Sequence, residues 1–456
     1  MTSEKRTTLS TFTADATRGL GGPDWLGRRR SEAWERFAAA PLPTEDEEVW
    51  RYSGINAFDL DAFRPAPPVD ATLDPGPLVA RARRMAAAFG PRAALVVTAN
   101  GTLLEVEVSP SAPDELVVGG IGPGDTPASS ALGALAPARD GFGHLHDAFV
   151  ADVVVVDVPR KLTVADPVVV VHVVDGLDAG ATDASVAAFP HVLVRLGISS
   201  EAGVIEVVTS STDDGGSSAP ASALVVPVTE LDVADDAHLR YANMQVLDTS
   251  ATFIATQASR VGQSAGLRSF TAGLGGRLAR VRTDSDLVGT GGRTSLLAAY
   301  LGTGTQLHDF RTLQDHHAAR TESELLFKGA VADTARSVYS GLIRIRRGAR
   351  GSNAFQTNHN LVLSEGAHAD SVPNLDIDEN DVRCSHASTV GPIDEEQRYY
   401  LETRGIAPEV AERLIVLGFF ADLAGRAPFA GVGSWVEEAV RHRLGAFANE
   451  EESGRG

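Results

Sequence analysis

Hydrophobic and polar positions change their spacing twice along this chain, which divides it into three parts. Between residues 24 and 43 apolar side chains recur at helical spacing, and the pattern ends at Pro41 and Pro43. A second helical pattern covers residues 76 to 90. Two apolar runs then flank Asn100-Gly101, a pair that favours the tight turn of a hairpin. Residues 1–150 are therefore predicted to form a helical and α/β domain.

From residue 151 helical spacing almost disappears, and short apolar or alternating runs follow one another up to residue 392. They recur at intervals of roughly 10 to 20 residues, separated by Gly, Asp, Ser and Asn, as strands joined by turns do. A sandwich or barrel closes after a limited number of strands, whereas a parallel β-helix extends by stacking coils. The number of runs favours a β-helix, although no strict sequence repeat is visible. The segment 209–222 is predicted to be a polar surface loop.

Helical patterns return in residues 393–456, which are predicted to form a helical domain with a disordered acidic tail at 449–456. Asp394 is placed to cap the first helix, which Gly405 ends. Ser434 and Glu437 have the spacing of a capping box before a later helix. The helix between them carries an apolar stripe. That stripe consists of Val410, Leu414 and Leu417.

Composition and charge exclude several classes of partner. The 456 residues exceed one ordinary core, and 45 glycines with 23 prolines indicate a turn-rich chain. The net charge of -20 disfavours nucleic acid and anionic lipid surfaces as partners. The first residues lack the apolar segment of a signal peptide, and no run of about 18 apolar residues follows. We therefore expect a cytoplasmic protein that binds neither nucleic acid nor a membrane.

The only cysteine, Cys384, stands two residues before His386. If this segment is a strand, both side chains lie on the same face. A single cysteine forms no internal disulfide and cannot by itself provide the thiolates of a zinc or iron–sulfur site. From these residues alone two interpretations stay open. One is a metal or cluster contact shared with another chain, and the commoner one is a buried thiol beside a hydrogen-bonded histidine.

A second group of histidines comprises His308, His316 and His317. Adjacent residues of a strand face opposite sides, so one of the last two at most joins His308 on a given face. Structural histidines are the favoured interpretation, because a metal site needs three or four converging ligands. The glycine-rich turn at 289–292 lacks the Walker lysine, and hydrolase and kinase motifs are missing. The chain is predicted to be a scaffold and not an enzyme.

Three segments in order resemble the C-terminal half of the SufB/SufD family of iron–sulfur cluster assembly proteins: "SELLFKGAVADTARSVYSGLIRI", "AFQTNHNLVLSEGAHADSVPNLDID" and "DVRCSHASTVGPIDEEQRYYLETRGI". Upstream, "LPTEDEEVWRYSGI" resembles the family's Trp-Arg-Tyr segment. The Cys-Ser-His segment is most similar to the SufD branch, and Leu401 stands where SufB chains carry a cysteine. Ala387 departs from the glycine that commonly follows that segment.

The resemblance implies a mainly β fold: a right-handed parallel β-helix core with an N-terminal α/β region and a C-terminal helical domain. It implies a scaffold subunit that pairs with a SufB-like homologue and binds a SufC-like ABC ATPase through its C-terminal helices. A nascent iron–sulfur cluster would be held transiently at the shared interface, with His386 as the implied metal contact and Cys384 as a second contributor. A flavin in the complex has no support in this sequence.

Three alternatives stay open beside this interpretation. The stripe of Val410, Leu414 and Leu417 is either the ATPase contact or an internal core face. A β-helix can also be a carbohydrate-active enzyme, which would need carboxylates converging in a groove. The chain could instead be a structural protein that associates with itself, and a homodimer could form when the partner is absent.

Overall fold

A computed structural model of the chain describes residues 11–67, 75–121, 130–174, 185–211 and 222–454. Two large sheets dominate this part of the chain, and helices lie before and after them. No helix in these ranges is long and apolar enough to cross a membrane. The predicted polar loop at 209–222 falls mostly outside the described residues, as do the first ten residues.

The core consists of two sheets to which the chain contributes strands alternately. The first sheet contains, in chain order, β1 (Phe63–Pro65), β4 (Val117–Gly120), β5 (Val153–Val158), β7 (Ser185–Ala188), β8 (His191–Leu196), β10 (Ala223–Val225), β11 (Val228–Val233), β13 (Thr252–Val261), β15 (Leu278–Leu287), β17 (Leu307–His316), β19 (Arg336–Ile345) and β21 (His368–Ile377). The second contains β2 (Ala94–Ala99), β3 (Thr102–Val108), β6 (Val168–Val174), β9 (Glu201–Ser210), β12 (His238–Val246), β14 (Gly266–Gly273), β16 (Arg293–Gly302), β18 (Glu322–Val331), β20 (Asn353–Val362) and β22 (Arg383–Gly391). From β11 onward every pairing between successive coils is parallel, which confirms the predicted β-helix core.

The coils are regular in structure but unequal in length. Leu278 pairs with Leu307, whereas Arg336 pairs with His368, so the second of these coils is three residues longer than the first. Polar residues in the left-handed conformation, such as Ser264 (φ 54°), turn the chain between strands. Unequal coils give no fixed period, which explains why the sequence shows no strict repeat.

The N-terminal region contains the helices α1 (Ala14–Arg18), α2 (Asp24–Ala39), α3 (Gly76–Ala87) and α4 (Gly141–Phe149), and 3-10 turns at Glu48–Trp50, Ile55–Ala57 and Leu60–Ala62. The predicted hairpin is present: β2 and β3 are antiparallel, and Asn100 and Gly101 both have positive φ angles. Its first strand pairs with β6, which joins the hairpin to the second sheet of the core.

A buried ion pair fixes the Trp-Arg-Tyr segment to the first sheet. The Arg280 guanidinium contacts the Asp309 carboxylate and lies 3.9 Å from the centre of the Trp50 ring. Its Nη2 donates to the carbonyl oxygen of Val49 at 2.6 Å. Arg311 donates through Nε to Asp309 Oδ1, also at 2.6 Å. The segment therefore closes over a charged pair that has little contact with water.

A second buried polar cluster joins the two sheets inside the early coils. Glu206 Oε2 on β9 accepts hydrogen bonds from Tyr241 at 2.6 Å and from Thr229, on the opposite sheet, at 2.9 Å. His172 Nε2 lies 3.5 Å from Glu206 Oε1. Burial on its own would raise the pKa of Glu206, but these neighbours outweigh it and hold the pKa below its ordinary value. The carboxylate is therefore ionised in the folded protein at neutral pH.

This cluster predicts a pH-dependent effect of the substitution Glu206→Gln. A carboxyl group with a lowered folded-state pKa stabilises the fold fully above its unfolded-state pKa, and the contribution is lost as pH falls through the folded-state pKa. The variant should lose about 1 to 3 kcal/mol of unfolding free energy at pH 7, and the difference should shrink as the pH falls below about 4.5. Urea unfolding at several pH values measures this difference in unfolding free energy. Glu201→Gln, at the exposed start of the same strand, is the control and should show no such trend; a Glu206→Gln difference that stays constant down to pH 3 would contradict the assignment.

The C-terminal helices are α5 (Glu395–Glu402), α6 (Pro408–Ala424) and α7 (Ala430–Gly454). Asp394 caps α5 as predicted, since its carboxylate accepts from the backbone N–H groups of Glu396 and Gln397. Two predictions are wrong. Ser434 lies inside α7, because that helix begins at Ala430, and α7 continues through Gly454, so most of the tail predicted to be disordered is helical.

Helices α3, α6 and α7 share one hydrophobic cluster with the second sheet. The buried side chains of this cluster include Phe420 and Leu423 of α6 and Val436 and Val440 of α7. Lys328 on β18 donates to Asp422 at 2.9 Å, which adds an ion pair to the apolar contact. The helices are therefore held firmly against the outer side of the β-helix. The domain boundaries at residues 150 and 392 stay predictions.

Candidate functional site

The last coil of the β-helix is open at the end of the core. In the described part of the chain, β21 pairs only with β19 and β22 only with β20, so each last strand has one edge without a strand beside it. Apolar side chains are exposed on this coil. They are Val372, Leu375 and Ile377 on β21 and Val390 on β22, each about 40% exposed. An unpaired strand edge beside apolar side chains is a surface on which another chain can add strands.

The structure places Cys384 and His386 together on this open coil. Both belong to β22, where they lie two positions apart and therefore on the same strand face, as predicted. Cys384 packs against a cluster between the sheets that contains Ile343, Ile345 and Ala354. His386 is exposed. The thiol thus borders the interior of the β-helix, and the imidazole stands at its mouth.

Burial raises the pKa of the Cys384 thiol above its ordinary value. In the isolated chain the sulfur is therefore protonated at neutral pH and is a weak nucleophile. A metal ion that bound this sulfur would have to displace the proton. The arrangement suits a ligand that becomes active when metal arrives and does not suit a catalytic cysteine.

Gln356 lies beneath His386 and was missed by the sequence analysis. It is the register partner of His386 on β20 and is only 1% exposed, yet neither atom of its carboxamide has a hydrogen-bond partner in the described structure. A Cβ atom at position 341 would collide with this carboxamide and with the Tyr339 hydroxyl, so Gly341 makes the room that both occupy. A buried amide without partners is unfavourable for stability, which marks this position as one with a role other than packing.

Further along the same strand, a separate polar network occupies the interior. Asn358 Nδ2 donates to the Tyr300 hydroxyl at 3.0 Å, and that hydroxyl donates to Asn360 Oδ1 at 2.6 Å. Asn360 Nδ2 in turn donates to Asn358 Oδ1 at 2.7 Å. The interior of the last coils thus contains an ordered polar network beside the apolar cluster that Cys384 borders. Only the pairing of strands makes this network visible, because Tyr300 is 58 and 60 positions from the two asparagines in sequence.

The histidine group divides between the two sides of the first sheet. His308 and His316 are fully buried, and burial lowers their pKa values to about 3 and about 4. His316 bonds to Thr321 and Ser323 at 2.7 and 2.9 Å, as expected for a structural histidine. His317 faces the other side, towards Asp286 and Asp315. The adjacent residues His316 and His317 therefore face opposite sides of the sheet, as predicted, and the three histidines of this group do not converge on one site.

The apolar stripe of α6 is mostly uncovered. Val410 and Leu414 are 38% and 46% exposed, whereas Leu417 is half-buried and packs against the cluster shared with the second sheet. Tyr399 and Tyr400 on α5 are more exposed still. The first two residues of the stripe therefore are not part of an internal core face, and the tyrosines add further exposed aromatic side chains to the C-terminal helices.

Comparison with known proteins places these features in one family. Residues 179–419 match the family model described as "SUF system FeS cluster assembly, SufBD core domain". The chain is 31% identical to the iron–sulfur cluster assembly protein SufD of Bacillus subtilis over 66% of either chain. It is 29% identical to SufD of Escherichia coli over 66% of this chain and 69% of that protein.

A mycobacterial relative has a shorter match. An iron–sulfur cluster assembly SufBD family protein of Mycobacterium tuberculosis is 36% identical over 46% of this chain and 56% of its own length. The chain therefore spans between about half and two thirds of the length of the curated relatives it matches. The matched core includes β22 and the residues Cys384 and His386.

Proposed function

Because the chain belongs to the SufBD core-domain family of iron–sulfur cluster assembly, we propose that it is a SufD-like scaffold subunit of a SufBCD complex. It pairs with a SufB-like chain, binds a SufC-like ATPase, and contributes no catalytic residue of its own. The observation that carries this proposal is the open last coil, which brings Cys384 and His386 to the edge of the core. The proposal includes a cytoplasmic location, where clusters for intracellular proteins would be assembled.

The open coil supports pairing with a homologous β-helix. A partner that adds its own last coil would cover the unpaired edges of β21 and β22 and bury the apolar side chains beside them. The interiors of both β-helices would then face the contact between the two last coils, which we call the junction. A ligand from each side could meet there, which one chain with one cysteine cannot achieve alone.

The chemistry of the junction suits a nascent iron–sulfur cluster as cargo. Iron in such clusters takes thiolate ligands, and imidazole replaces some of them in certain centres. His386 offers an exposed imidazole, and Cys384 a thiol that releases its proton on binding metal. Cysteines of the SufB-like partner complete the ligand set. No contact to a flavin is proposed.

The C-terminal helices support a mechanical role. The exposed surface of Tyr399, Tyr400, Val410 and Leu414 is the proposed ATPase contact, with Leu417 joining it to the core. Since α6 and α7 pack on the second sheet and Lys328 bonds to Asp422, movement of these helices is transmitted to the β-helix. ATP-driven approach of two ATPase subunits would in this way open or twist the junction that holds the cluster.

We expect the substitution Leu414→Asp to weaken binding of the ATPase subunit by about tenfold or more, because a charge would be buried in an apolar contact. Binding to the purified ATPase is measured by calorimetry. Ile198→Asp, an equally exposed apolar residue distant in sequence from these helices, is the matched control and should leave the affinity unchanged. An unchanged affinity in Leu414→Asp would exclude this surface as the contact.

The experiment that tests the proposed function is purification of the chain at native abundance from its own cells, with mass spectrometry of the proteins that co-elute. A cysteine-bearing homologue and a Walker-motif ATPase in stoichiometric amounts are the expected result. Elution of the chain by itself, or as a homodimer while both proteins are present in the lysate, would overturn it.

A further inference from the structure

Two carboxylates and one imidazole converge on the outward side of the first sheet, away from the open coil. Asp286 lies near the end of β15, Asp315 near the end of β17, and His317 directly after it. The register makes Asp286 and Asp315 direct partners in these neighbouring strands. The Nε2 atom of His317 lies 3.5 Å from an oxygen of Asp286 and 3.5 Å from an oxygen of Asp315. One ligand atom from each residue lies within 4.8 Å of the other two.

The imidazole of His317 is aimed at these oxygens without bonding to either. Its Nε2 atom is excluded from solvent and has no hydrogen-bond partner in the described structure. A separation of 3.5 Å is long for a hydrogen bond of this kind. It matches two ligands of one ion, because ligand atoms about 2.1 Å from a tetrahedral metal are about 3.4 Å from each other.

Neighbouring side chains in the described ranges hold the Asp315 carboxylate in place but provide no cationic partner for the Asp286 carboxylate. Arg346 donates to both oxygens of Asp315, at 2.8 and 2.7 Å, as the outer partners of metal-binding carboxylates do. Asp286 has no arginine or lysine within 4 Å among the described residues. The carboxylates of Asp315 and Asp284 lie near that of Asp286 and repel its negative charge. A bound cation would offset this repulsion.

We propose that Asp286, Asp315 and His317 form a site for a divalent transition-metal ion, separate from the junction at His386. An imidazole with two carboxylates suits zinc, manganese or ferrous iron and does not suit an iron–sulfur cluster, which takes thiolates. Three protein ligands leave at least one coordination position for water. Because the ligands come from successive coils, the ion joins β15 to β17 and stabilises their stacking.

Zinc titration of the full-length chain tests this site. Calorimetry is done in a Cys384→Ser background so that the thiol does not contribute. We expect about one equivalent of zinc to bind with an affinity that falls at least tenfold in His317→Gln and in Asp286→Asn. Zinc should also raise the melting temperature of the background protein more than that of either variant. Cobalt should give the visible absorption bands of a protein-bound ion in the background protein and not in the variants.

The matched control is His368→Gln. His368 is an exposed histidine that faces one carboxylate, Asp370 at 3.2 Å, instead of two, and its replacement should leave binding intact. The Asp286 side chain is about half exposed, so Asp286→Asn keeps the test valid if His317→Gln does not fold. Absence of zinc binding in the background protein would overturn the proposal. The proposal would also be overturned if the His317 and Asp286 variants bound zinc as tightly as the background protein, or if His368→Gln lost as much affinity as they did.

Discussion

Replacing His386 by alanine is expected to reduce the yield of iron–sulfur cluster in the assembled complex by on the order of tenfold or more, because an iron ligand is removed from a site that one thiol cannot complete. His386 is exposed at the mouth of the open coil, so its replacement removes no buried side chain from the core. The complex should therefore remain assembled. The yield is measured by cluster absorbance after reconstitution with ferrous iron and sulfide, and assembly by size measurement of the same sample.

Two further variants give this experiment its controls. His368→Ala removes an exposed histidine from β21 of the same coil and should leave the cluster yield unchanged. His386→Cys replaces imidazole with a thiolate donor and should retain much more cluster than His386→Ala. An unchanged yield in His386→Ala would exclude the ligand role. Dissociation of the complex would instead make His386 a packing residue of the junction.

The substitution Arg280→Met is expected to lower the free energy of unfolding by about 3 kcal/mol, since the buried Asp309 carboxylate keeps only Arg311 of its two arginine partners. It also removes the contact with the Trp50 ring and the hydrogen bond to Val49. The N-terminal segment should detach from the first sheet as a result. Urea unfolding gives the energy, and proteolysis near residue 50 reports the detachment.

The matched control for Arg280→Met is Arg260→Met. Arg260 also pairs with an aspartate, Asp232, through two nitrogens at 2.7 to 2.9 Å, but its side chain is half exposed. Its loss should therefore change stability by about 1 kcal/mol or less. The double variant Arg280→Met/Asp309→Asn should recover part of the loss, because it removes a buried negative charge that has lost one of its two arginine partners. Equal effects of Arg280→Met and Arg260→Met would show that burial of the pair contributes nothing.

The candidate site was partly visible in the sequence. A strand puts Cys384 and His386 on one face whatever the rest of the fold does, because side chains alternate along an extended backbone. Gln356 could not be found in that way, since its relation to His386 depends on the register of two strands 30 residues apart. Asp286 likewise meets His317 only because neighbouring coils stack in that register. The nearest signal for this site in the sequence was the adjacent pair of His316 and His317.

Errors at the C-terminus have a local origin. Ser434 and Glu437 have the spacing of a capping box, but helix α7 begins earlier, at Ala430. Phe429, just before the helix, and Val432, in its first turn, both pack into the cluster shared with the second sheet. Burial of these apolar side chains outweighs one side-chain cap. The stripe on α6 was similarly ambiguous, since spacing alone does not tell which side of a helix meets the core.

By itself the sequence determined what depends on neighbouring residues: the hairpin at Asn100-Gly101, the cap at Asp394, the succession of strands, and the common face of Cys384 and His386. Only the tertiary structure decided what depends on stacking: which coil is left open, which polar side chains are buried without partners, and which carboxylates face His317. The physical reason is that alternation and capping act within a few residues, whereas register joins residues one coil apart. Unequal coil lengths leave no period from which that register could be read.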